Sequence, residues 1–142
     1  MKDLQIVEQE KIIRDISDID FFEKQYGVKF PDSLKKFLLK YDGAMVKGTC
    51  FNGAPTFKEI LNLNKHPVSA SIEEILKGHQ SYGYKNFIPF AIDSGGWDYD
   101  VSISPETYGQ VWVNKFDSGE ENPFEFVRNS FEEFIDSLES EE

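Results

Sequence analysis

Residues 21–44 read FFEKQYGVKFPDSLKKFLLKYDGA, and the positions of the breakers in this stretch decide how the chain begins to fold. Ile19, Phe22 and Tyr26 recur at helical spacing before Gly27 supplies a stop. A first helix is therefore expected over 18–26, opened by Ser17 with Asp20 three residues on as a capping box. Val28 and Phe30 lead into Pro31, whose missing N–H is harmless in the opening turn of a second helix. Leu34, Phe37, Leu38 and Tyr41 then form one apolar stripe, and Gly43 ends it in a left-handed conformation that residues with a Cβ resist.

Upstream, residues 1–14 set Leu4, Ile6, Val7, Ile12 and Ile13 among charges, a pattern that suits either a short helix or a strand-like arm. Downstream, residues 44–67 mix Gly48, Gly53 and Pro55 with short apolar pieces at 49–51 and 57–63, and read as loops with one or two strands. Ser71 caps a short helix carrying Ile72, Ile75 and Leu76, with Glu73 and Glu74 favourable in its first turn and Gly78 as its end. Residues 86–103, NFIPFAIDSGGWDYDVSI, contain two strands, 87–92 and 99–103, joined by a reversal at 93–98 that the paired glycines permit. Val111, Trp112 and Val113 begin a third strand after a turn at 107–109, and an antiparallel meander is the economical arrangement. Ser130 and Glu133 box a last helix, with Phe131, Phe134, Ile135 and Leu138 on one face and Glu132, Glu133, Asp136 and Glu139 on the other. The fold class is α+β, an antiparallel sheet packed by helices. No linker rich in Pro, Gly or Ser divides the sequence, so one domain spans 1–142: an N-terminal arm or helix at 1–15, a core at 16–138 and an acidic tail at 139–142.

The composition narrows the function. Of 142 residues, 39% are hydrophobic and 13 are Phe, enough for one ordinary core. The single cysteine, Cys50, has no partner for an internal disulfide, which suits a reducing compartment, and a cytoplasmic location is the expectation. No basic start joins an apolar run of signal-peptide length, and the longest apolar run, near Phe87, is broken by Pro89, so no membrane association is expected. Net charge is −11, and residues 117–142 carry ten acids against Arg128 alone, which gives that segment −9 of the total. Such a segment repels phosphate backbones and anionic lipid, which excludes direct nucleic-acid binding, and accelerates encounter with a basic partner.

Taken in order, FFEKQYGVKFPDSLKKFLLKYDGA, NFIPFAIDSGGWDYDVSI, GQVWVNKF (109–116) and NSFEEFIDSL (129–138) resemble the SUKH superfamily over about residues 16–138. Its members include bacterial immunity proteins and a fungal regulator of cell-wall glucan synthesis. The most specific parts are the helix, Gly, apolar, Pro, helix, Tyr-Asp-Gly module and the strand ending in Asp93 before Gly95 and Gly96. The resemblance implies an α+β domain that binds and neutralises a polymorphic toxin, or a housekeeping regulator or scaffold of the cell-wall type, with no catalytic residue set. Gly27, Pro31, Gly43, Gly95, Gly96 and Phe131 match the family as structural positions, and Asp42 stands where Asn is common. Toxin-contacting residues differ between members and do not transfer.

The candidate partner-contact residues are Trp97, Asp98, Asp100, Asp117, Glu120, Glu121, Glu132 and Asp136: an aromatic that anchors interfaces well, beside concentrated acids. The partner they suit is a protein, a basic toxin domain such as a nuclease. No catalytic residue, cofactor or metal is assigned. Asp93, Asp98 and Asp100, with Asn114 or Asp117, offer oxygen ligands for a hard cation, but their spacing fits no calcium loop and they read as a turn with water-facing side chains. His66 and His79 have no Cys or second His at ligand spacing, which argues against zinc. A nucleophile at Cys50 would need a histidine brought close by folding, Ser94 lacks the preceding glycine of a nucleophile elbow, and neither a Walker loop nor GxGxxG is present.

Overall fold

The computed structural model describes residues 1–64 and 71–140. The helices are α1 (Ile16–Tyr26), α2 (Asp32–Tyr41), α3 (Ile72–Ser81) and α4 (Phe131–Ser137). The strands are β1 (Ile6–Gln9), β2 (Ala44–Val46), β3 (Thr49–Phe51), β4 (Ala54–Pro55), β5 (Glu59–Ile60), β6 (Phe87–Ile92), β7 (Asp98–Ser102), β8 (Val111–Asn114), β9 (Phe124–Arg128) and β10 (Glu139–Ser140). Seven strands form one antiparallel sheet in the order β1-β2-β5-β6-β7-β8-β9, and β10-β3-β4 form a smaller one. The class is α+β with the meander β6-β7-β8 at its centre, and no helix among the described residues is long and apolar enough to cross a membrane.

Several local expectations are corrected. The capping box of α1 is built from Asp15 and Asp18, not Ser17 and Asp20: Asp15 is extended and accepts from Ser17 N, while the Asp18 carboxylate accepts from Asp15 N at 3.4 Å and also from Arg14 N at 2.7 Å. Gly78 does not end α3, which runs three residues further to Ser81; the left-handed residue after it is Gly83 at φ 86°. The arm at 1–15 contains a strand, since β1 pairs with β2. An unforeseen strand, β9, pairs with β8. In the reversal at 93–98 only Gly96 takes positive φ, and the Asp93 carboxylate holds the turn by accepting from Gly95 N and Trp97 N at 2.9 and 3.0 Å. Glu139 and Ser140 pair with Cys50 and Thr49, so the acidic tail is not free from its first residue. Lys65, His66 and Pro67, at the end of the loop-rich stretch, lie outside the described residues, as do Glu141 and Glu142.

Strand alternation separates two chemistries. Ile88, Phe90, Tyr99, Val101, Val111 and Val113 are buried on the face covered by α2 and α4, where Phe37, Phe131 and Phe134 meet the rings of Phe90 and Tyr99. Asp98, Asp100, Ser102 and Asn114 occupy the other face and are also buried, with α3 lying over them. Pro89 is tolerated inside β6 because a bulge between Pro89 and Ala91 interrupts the ladder there.

The α2–β2 junction explains the Tyr-Asp-Gly signature. Gly43 has φ 70°, and a Cβ on it would sit 2.2 Å from the backbone oxygen of Glu10. A Gly43→Ala variant is therefore expected to lose about 2 kcal/mol from backbone strain and displacement of the N-terminal arm, read as a lowered urea midpoint. The arm is an edge strand and can yield, which keeps the loss below that of a core truncation.

Candidate functional site

The C-terminal half of α3, the start of β7, the end of β8 and the 115–123 connection enclose a cleft of about 440 Å³. Its walls include Ile75, Tyr82, Tyr84, Phe116, Glu120 and Pro123; its floor includes His79, Asp98 and Asn114. Tyr82 is 81% exposed and Phe116 57%, so two aromatic rings stand in solvent at the mouth. Asp117, Glu120 and Glu121 are exposed on the same connection, and Asp117 accepts from Trp97 Nε1 at 2.6 Å. Lys115 lies over the Trp97 ring, 5.2 Å from its centre. Trp97 itself is half-buried and lines a separate groove with Tyr99, Val113 and Phe134.

Of the eight residues expected to meet a partner, the structure thus joins Trp97 and Asp117 directly and puts Glu120 and Glu121 on the same connection as Asp117. Glu132 and Asp136 are exposed but belong to α4, on the phenylalanine-rich side, where Asp136 accepts from Lys2 N at 2.6 Å. Asp98 and Asp100 are a correction. They are 4% and 0% exposed, neither on a water-facing turn nor on the outer surface, because both belong to β7 and point beneath α3.

What they meet there is His79. Its Nε2 lies 3.0 Å from Asp98 Oδ2 and its Nδ1 lies 3.3 Å from Asp100 Oδ2. Asn114 Nδ2 donates to Asp98 Oδ1 at 3.2 Å and sits 3.4 Å from His79 Nε2. The short distances do not make a satisfied network. His79 Nδ1, Asp98 Oδ2, both Asp100 oxygens and Asn114 Oδ1 are fully buried without an aligned hydrogen bond. Register sets Asp100 between Pro89 on β6 and Trp112 on β8, and the indole Nε1 of Trp112 is likewise buried without a partner. Burial, and then the negative charge of Asp98, pushes the Asp100 carboxyl well above the usual carboxylate range. Burial also acts to raise Asp98, but its close approach to Asp100 and His79, the attraction of His79 and the hydrogen bond from Asn114 outweigh it and hold that carboxyl low. The two shifts describe one coupled pair, in which Asp98 is the stronger acid of the two.

His79 was set aside on sequence for want of a neighbouring ligand. The usable signals were that it continues the stripe of Ile72 and Leu76, seven and three residues on respectively, and that Asp98 and Asp100 share a strand face at a spacing of two. His79, Asp98 and Asp100 are the group among the described residues whose donor atoms all lie within 4.8 Å of one another.

The model of the SMI1 / KNR4 family (SUKH-1) matches residues 15–137. The chain belongs to this family. The SUKH-1 match begins at the α1 cap, Asp15, and ends with the last residue of α4, so it takes in all four helices and strands β2 to β9 but neither β1 nor β10. Within SUKH-1 terms the chain falls among proteins of immunity or regulator type. No curated protein matches it.

Proposed function

We propose that this SUKH-1 protein is an immunity protein that binds a basic toxin domain and blocks it sterically and electrostatically, performing no reaction itself. The observation that carries the reading is the pairing of exposed aromatics, Tyr82 and Phe116, with the exposed acids Asp117, Glu120 and Glu121 around one cleft. Rings of this kind bury large area with few rotors to freeze, and clustered acids steer a cationic surface toward them. A basic protein such as a nuclease domain fits this surface, and the net charge of −11 repels nucleic acid itself. A cytoplasmic setting suits the lone Cys50.

The experiment begins with a pull-down from the native host and continues with co-expression of the adjoining gene, whose product should arrest growth alone and not in company with this chain. With that partner purified, Glu120→Lys combined with Glu121→Lys should slow association about tenfold at low salt, with the difference shrinking as ionic strength rises. Tyr82→Ala should raise the dissociation constant about tenfold or more while leaving stability within about 0.5 kcal/mol. Growth arrest that the chain fails to relieve would overturn the immunity role, and an association rate indifferent to salt and to both reversals would overturn the electrostatic part.

A further inference from the structure

We infer that His79, Asp98 and Asp100, with Asn114 beside them, form a binding site for one first-row divalent cation, of which Zn²⁺ is the type. Three observations carry it. The first is orphaned polarity: five donor or acceptor atoms of these four residues are fully buried without an aligned partner, and all four residues are at least nine-tenths buried. Native proteins leave few such atoms, and a bound ion is one species that would give a facing cluster of them partners. A cation satisfies lone pairs, and four of the five, on Asp98, Asp100 and Asn114, are oxygens.

The second is spacing. The ring nitrogens stand 3.0 and 3.3 Å from carboxylate oxygens of Asp98 and Asp100. The ring offers a cation one nitrogen at a time, and that nitrogen with the two carboxylates, whose donor atoms all lie within 4.8 Å of one another, is a set that zinc and its neighbours accept at bonds of about 2.0–2.2 Å. Calcium, with bonds of about 2.3–2.6 Å and six to eight oxygens, fits this nitrogen-bearing set poorly.

The third is charge and access. Bound together to a cation, the two aspartates would bring two negative charges that a divalent ion cancels, whereas the one adjacent imidazole cancels at most one. His79, Asp98 and Asn114 also line the floor of the open cleft, with Glu120 on its wall, so the ion has an entry path and a free position for water, while Asp100 closes the site from behind. Bound there, the cation would tie α3 to β7 and β8, from outside both the phenylalanine-rich core and the exposed aromatic rim.

The test uses the full chain stripped of metal with chelator. Equilibrium dialysis against Zn²⁺ with elemental analysis should give one ion per chain, and thermal unfolding at a hundredfold excess over the dissociation constant should rise by about 5–10 °C. Asp100→Asn and Asp98→Asn should each abolish that rise, while Glu120→Gln should keep it. Asn has the shape of Asp without the buried charge, so metal-free Asp100→Asn is expected to melt at or above the metal-free parent, which separates a lost site from a lost fold. Co²⁺ in place of Zn²⁺ should give visible absorption bands that vanish in the same two variants. No saturable binding of Zn²⁺, Co²⁺, Mn²⁺ or Ni²⁺, or unchanged stoichiometry in the Asp98→Asn, Asp100→Asn double variant, would overturn the inference.

Discussion

Asp42→Ala is expected to lower the unfolding free energy by about 3–5 kcal/mol, measured by urea denaturation at neutral pH. Asp42 is fully buried at the end of α2, and one carboxylate joins three segments. Its Oδ2 accepts from Ile12 N at 2.7 Å and Ile13 N at 2.8 Å, and its Oδ1 accepts from Leu63 N at 3.1 Å. Alanine would leave three backbone donors in the interior with nothing to receive them, and each buried orphan costs about 1–3 kcal/mol. Asp42→Asn separates charge from acceptor count. Its amide oxygen serves Leu63 or the Ile12–Ile13 pair, but the amide nitrogen accepts from neither, so a loss of roughly half that of alanine is expected. If alanine and asparagine were equally mild, below about 1 kcal/mol, the three bonds would not be organising the junction.

This junction also shows what the sequence disclosed and what it withheld. The Tyr-Asp-Gly module was legible because its logic is local: a stripe ends, a residue of positive φ follows, and Gly43 at 70° supplies it. The same holds for α2, for α4 with its Ser130 cap, and for the β6-β7-β8 meander, all read from periodicity and punctuation. The partners of Asp42 were not legible, since Ile12 and Leu63 are brought to it only by the fold.

The candidate site failed for two connected reasons. Gly78 was taken as the end of α3, although helix interiors tolerate glycine at about 1 kcal/mol, and the extra turn is what carries His79 over the sheet. Asp98 and Asp100 were grouped with Asp93 as one turn, although only Asp93 has that task; the other two begin β7, where a spacing of two puts both under α3. Aspartate is depleted in strands, and that local preference outweighed the alternation. Of the acids expected at a partner surface, Asp117, Glu120 and Glu121 did share one exposed connection, because their proximity is one of sequence. A buried acid pair under a histidine is a tertiary fact.

Phe90→Ala is the second large effect, an expected loss of about 3–5 kcal/mol in the same denaturation experiment. Phe90 is fully buried at the bulge of β6, and its ring meets four others: Phe37 from α2 at 6.3 Å, Phe57 at 5.9 Å, and Phe131 and Phe134 from α4 at 5.1 and 6.5 Å. All four are edge-to-face arrangements favoured by the ring quadrupole. Those partners come from two helices and the segment before β5, none of which can follow the missing ring without leaving its other neighbours. The cavity therefore stays largely open and the upper part of the range applies. Phe90→Leu retains most of the volume and should lose about half as much. The two faces of the sheet then give a contrast that stability alone cannot. Phe90 points away from His79, Asp98 and Asp100, so folded Phe90→Leu should take up Zn²⁺ with the affinity of the parent chain despite its lower midpoint. A proportional loss of both would mean that packing on the phenylalanine side sets the position of β7 on the other, and that the acid–histidine cluster is held by the whole core and not by α3 and its own strands.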